Sequence, residues 1–86
     1  MHELSLFADM MNKVHQIVVE NNAERATRIS VELGALSHIS PGHFREHFDE
    51  AKVGTVAEDA ELEVFQNDDP NDPNAQEMIL QTIEVE

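Results

Sequence analysis

Leu4, Phe7, Met11, Val14 and Val18 recur at steps of three and four residues, with Ala8 and His15 on one flank and Met10 and Ile17 on the other. Side chains at that spacing share one side of an α-helix, so the pattern predicts an amphipathic helix with a broad buried face. Asn21 and Asn22 break it. A period of two follows, in which Thr27, Ile29, Val31 and Leu33 alternate with Arg28, Ser30 and Glu32 up to Gly34. That alternation predicts a strand covered on one face. "ISPGHFREHFDEAKVG" then reads as a second helix with Ser40 at the N-cap and Pro41 at the first helical position. Ile39 is placed to staple onto Phe44, Phe44, Phe48 and Ala51 form the buried face, and Gly54 is the expected stop.

Alternation returns at Ala60, Leu62 and Val64, against Glu61 and Glu63, and again in "EMILQTIEVE", with Ile79, Ile83 and Val85 expected on one face. "QNDDPNDPNAQ" lies between them, and its prolines, aspartates and asparagines forbid regular structure. The order α-β-α-β-β predicts an α+β domain, two helices packed on one face of a three-stranded mixed β-sheet. A helix joins the first strand to the second, so those two should run parallel. The last two strands are expected to form an antiparallel hairpin with a long acidic tip. At 86 residues, 1–86 is one domain with one core.

Charge and composition narrow the function. Eighteen acids against five bases give a net charge of −13, a surface that repels nucleic acid and anionic membrane. There is no cysteine, which excludes disulfides and thiolate zinc sites. The N-terminus lacks the order of a signal peptide, and no apolar run approaches the ~18 residues of a membrane span, so a cytoplasmic location is expected. No Ser/His/Asp set, phosphate-cradling glycine loop or paired-carboxylate pattern is visible, and an enzyme is not expected.

The chemistry concentrates at the opening "MHE". A terminal amine has an ordinary pKa of roughly 7.7–8.0, close enough to neutrality to give its proton up to a metal. With His2 next, the Met1 amine, the His2 amide nitrogen and the imidazole can close two fused chelate rings. Deprotonating an amide takes a strongly bonding ion, and square-planar nitrogen-rich ligation is typical of Ni²⁺ and Cu²⁺. Glu3 can add a carboxylate oxygen or orient the imidazole. A helix N-terminus opposes a cation by about 0.3–1 kcal/mol, which an anionic amide and Glu3 would offset. Met1, His2 and Glu3 are therefore the candidate metal ligands.

"MHELS", "RISVELGALSHISPGHFREHF", "GTVAEDAELEV" and "MILQTIEVE", in that order, resemble the HypA/HybF family of nickel metallochaperones of [NiFe]-hydrogenase maturation. In that family the opening tripeptide binds nickel and the histidine at position two is essential, which here implies Met1, His2 and Glu3. The resemblance implies a carrier of transiently bound Ni(II), with two partners: a nickel-handling GTPase and the hydrogenase large-subunit precursor. In some members nickel also reaches urease. Family members carry a zinc domain with two CxxC pairs between their last two strands, where this chain has the acidic loop 66–77, so no zinc is expected. The loop is unlike a Gly/Ser linker, which favours a natural short homologue. Dimerisation stays open. The alternative function is a metal-independent protein-interaction adaptor derived from that family, with "MHE" a relic.

Other metal-like groups have blander readings. His43 and His47 lie one helical turn apart with His38 close by, yet two imidazoles without a third ligand read as a solvated flank. Storage of nickel at His38, His43 and His47 is the least favoured alternative. His15 reads as a boundary core residue, and Met10, Met11 and Met78 as core filler. Asp68, Asp69 and Asp72 lack the glycine and glutamate of a calcium loop and read as a solvated turn.

Overall fold

The computed structural model describes residues 3–86, and side chains from Phe7 onward. The order is α1 (Glu3–Glu20), β1 (Ala26–Leu33), α2 (Pro41–Ala51), β2 (Glu61–Gln66) and β3 (Met78–Val85). This is the expected α+β layering, two helices against a three-stranded mixed sheet.

Local chemistry sets the helix limits. Asn22 adopts φ 54°, while the Ala23 amide donates to the Val18 carbonyl and the Asn22 amide to the Val19 carbonyl. Those two bonds form a Schellman closure, and asparagine tolerates the left-handed turn it needs. At α2 the Ser40 hydroxyl accepts from the His43 amide, and Pro41 follows it. Ser40→Ala should cost about 1 kcal/mol, read as a melting temperature lower by roughly 4–8 °C in a thermal denaturation. α2 stops at Ala51, before the expected Gly54. Gly54 instead takes φ 78° in the following turn and donates its amide to the Glu58 carboxylate.

The sheet order β2-β1-β3 corrects the expected hairpin. β1 is central, parallel to β2 and antiparallel to β3, so the last two strands lie on opposite edges. A central strand has a neighbour on each side, and β1 is the most deeply buried of the three: Ile29, Val31 and Leu33 are fully covered. The loop after β2 must therefore cross about 10 Å over the end of β1, two strand spacings. It is tied down there by the Asn67 amide on the Leu33 carbonyl and the Gly34 amide on the Glu77 carbonyl. Ala75 of the loop is buried, and its carbonyl accepts from the Leu36 amide.

Two register shifts correct the expected strand faces. Val31 pairs with Leu80 but Ser30 with Thr82, which leaves Gln81 as an extra residue. The bulge puts Met78 and Leu80 on the core side with Ile83 and Val85, and Ile79 opposite Glu32 instead. A second shift between Ala26 and Arg28 leaves Thr27 half-buried, its hydroxyl donating to the Glu84 carbonyl, and buries Ala26 in its place.

Phe7, Met10, Val14 and Val18 of α1 close the core over β1, with Ile39, Phe44 and Phe48 from α2 and its approach. Fully burying a Phe contributes roughly 1.5–3 kcal/mol, so Phe44 and Phe48, both wholly covered, are major supports of so small a domain. Met10 is buried and Met11 and Met78 pack against the cluster, as core filler should.

Candidate functional site

Of the three predicted ligands, only the backbone of Glu3 is described. Met1 and His2 lie outside the described residues; Glu3 is the first residue of α1, and its side chain also lies outside the description. What holds that end of the helix is Phe7, one turn beyond Glu3. Its ring packs 4.8 Å from that of Phe44 and 5.8 Å from that of His47, centroid to centroid. Phe7 is 4% exposed, so the start of α1 is pinned against α2 rather than left to fray. Phe7 thus fixes the first turns of α1 to α2.

The same contact brings α2 histidines to this end of α1. The His43 and His47 rings stack with centroids 4.5 Å apart and planes 18° from parallel, and their Nε2 atoms are 2.7 Å apart. One Nε2 carries a proton and donates to the other. His47 is half-buried against Phe7 and His43 is exposed. The solvated-flank expectation thus fits His43 better than His47. His38 is exposed, with a left-handed φ of 62°, and does not join the pair's ring contacts. His15 is exposed too, which corrects its expected boundary-core place: its position on α1 turns away from the sheet. Among the described residues, no three His, Asp or Glu side chains gather as a metal site would require.

Several of the acids are engaged within the fold. Asp69 and Asp72 accept from the Asn71 and Asn74 amides within the loop, and Asn67 donates to the other Asp72 oxygen, the solvated turn expected from composition. Arg28 meets Glu63 and Glu84 on the outer face of the sheet, and Lys52 meets Asp49. Arg25 donates twice to the Glu86 carboxylate, and that hydrogen bond, helped by the same group's charge, raises its pKa above the ordinary arginine value. Bases engaged by acids of their own chain leave the acidic excess to dominate the field.

Sequence reasoning missed the Phe7–His47 contact and the approach of the two imidazoles. The spacing of His43 and His47 was visible; the ring that fixes one of them comes from another helix.

Comparison with known proteins gives these features a family. A model described as "HypA: Hydrogenase/urease nickel incorporation, metallochaperone, hypA" matches residues 1–69, which include the opening tripeptide, both helices and the first two strands. The hydrogenase maturation factor HypA of Aquifex aeolicus (strain VF5) is 39% identical over 62 residues, 72% of this chain and 54% of that protein. Its counterpart in Rhizobium leguminosarum bv. viciae is 33% identical over 64 residues, 74% of this chain and 57% of that one. The chain thus spans little more than half the length of these curated relatives. The solution structure of the Ni metallochaperone HypA from Helicobacter pylori matches with a TM-score of 0.81 at 20% identity, over 99% of this chain and 97% of that one, a likeness of fold. The match across most of the sequence is to a class of nickel-incorporation metallochaperones. The chain belongs to the HypA family.

Proposed function

We propose that this domain carries Ni(II) during [NiFe]-hydrogenase maturation, holding it transiently through the Met1 amine, the amide and imidazole of His2, and Glu3. The observation that carries the proposal is that the family match begins at residue 1 and so takes in all three ligands. The domain acts as a carrier rather than an enzyme, in the cytoplasm, and passes its cargo to a hydrogenase large-subunit precursor with a nickel-handling GTPase as second partner. Among the described residues no helix is long and apolar enough to cross a membrane.

The residues present suit the cargo. The ligand set is nitrogen-rich and lacks thiolate, which fits Ni²⁺ better than a structural zinc. On this reading loop 66–77 takes the place of the zinc domain that the resemblance implies, and it is tied to Leu33, Gly34 and Leu36 by backbone hydrogen bonds.

His2→Ala tests the assignment. In calorimetric titration of the untagged chain with Ni²⁺, the variant should lose the tight stoichiometric site and keep the wild-type circular dichroism spectrum. Unchanged nickel binding, with hydrogenase-subunit capture equal to wild type, would instead favour the metal-independent adaptor.

A further inference from the structure

We propose that His43 and His47 form a second, two-imidazole site for a divalent late transition metal ion, beside the start of α1. The inference takes its choice of nickel from the function proposed above, but none of its ligands.

Geometry carries it. Residues four apart on a helix lie on one face, a turn above one another, and two histidines so placed can grip one ion from the same side. Two nitrogens each about 2.0 Å from one ion at a right angle stand about 2.8 Å apart. The Nε2 atoms of His43 and His47 are 2.7 Å apart, so the pair already has the bite of adjacent positions in a square-planar or octahedral shell. The ring centroids are 4.5 Å apart and the Nε2 atoms 2.7 Å, so the two rings converge at these nitrogens.

Packing makes the pair more than two mobile surface rings. His47 is half-buried, and the Phe7 ring lies 5.8 Å from it while also touching Phe44, which is wholly buried. Part of the rotamer cost of ordering His47 is thereby met in folding rather than in binding. Ligation needs both Nε2 lone pairs. The donor ring gives its Nε2 proton to water and takes one up on Nδ1, so it stays a neutral imidazole with Nε2 turned to the ion. The two imidazoles fill two positions of the shell, and further donors or water fill the rest. A pair of imidazoles alone grips an ion less tightly than the fused chelate rings proposed for the chain start. Phe7 is one turn from Glu3, so such a site lies beside the first turns of α1.

The test uses Ni²⁺ alone and the full untagged chain. His2→Ala removes the proposed tight site and should retain one weaker nickel site by calorimetry. Adding His43→Gln and His47→Gln to that background should weaken what remains at least tenfold. Equal binding by the single and triple variants would overturn the proposal, as would no binding by His2→Ala. If the triple variant fails to fold, imidazole nitrogen NMR of His2→Ala decides: substoichiometric Ni²⁺ should broaden the His43 and His47 resonances ahead of those of His15 and His38, and uniform broadening would overturn it. Failure of the terminal clasp looks different, because His2→Ala would then match wild type whatever stands at 43 and 47.

Discussion

A chain acetylated at its terminal amine should bind nickel at least roughly 100-fold more weakly than the free chain, with an unchanged circular dichroism spectrum. Loss of an outer group that merely orients a ligand already costs about 10–100-fold in metal affinity, and the amine is proposed as a direct donor. Acetylation replaces it with an amide whose lone pair is delocalised. It also breaks the first of the two fused rings that make deprotonation of the His2 amide worthwhile. The spectrum should hold because α1 is anchored by Phe7, Met10, Val14 and Val18. The measurement is a Ni²⁺ titration of acetylated and free chains side by side, with electronic absorption to follow loss of the square-planar band. Equal affinity would remove the terminal nitrogen from the ligand set.

Gly34→Ala should destabilise the domain by about 3 kcal/mol, because the added methyl collides with backbone that cannot step aside cheaply. A Cβ at Gly34 would stand 2.1 Å from the Ala75 carbonyl oxygen and 2.6 Å from that of Asn74. Ala75 is buried, its carbonyl is held by the Leu36 amide, and the Gly34 amide is bonded to Glu77 on the same loop. Relief therefore means lifting the loop off the end of β1 and breaking those bonds together. A domain of this size has roughly 4–13 kcal/mol in hand at 0.05–0.15 kcal/mol per residue, so the loss is a large share. Thermal melts should show a midpoint lower by roughly 12–24 °C. Gly42→Ala is the control: it is a helical position with nothing within 4 Å of the new methyl, and should be neutral or gain about 0.5–1 kcal/mol. A Gly34→Ala melt that overlays wild type would mean that the loop is not seated as described.

The chain order of helices and strands was legible because each is written in local periodicity and punctuation. The stripe from Phe7 to Val18, the alternation through Ile29, Val31 and Leu33, and Ser40–Pro41 depend on residues within a turn or two of one another. Met1, His2 and Glu3 were nominated as ligands on equally local grounds, the order of three adjacent residues, and that nomination stands as the proposal the nickel titrations test. Strand order was not legible. An acidic loop of turn-forming residues suits a hairpin or a crossing over the end of β1 equally well, and only pairing on both edges of β1 selects the second. The bulge at Gln81 likewise moves Ile79 off the core face for a reason that lies in the facing strand, not in the sequence "MILQTIEV". Gly34 looked like a strand terminator, yet its demand for a bare Cα comes from Ala75, forty-one residues away.

Sequence alone thus determined the elements and the acidic field, and it singled out the opening tripeptide as the candidate ligand set, since each is read from covalent neighbours. Tertiary structure decided which edges pair, where the loop lies and that Phe7 brings His47 to the head of α1, since these depend on side chains meeting across the core.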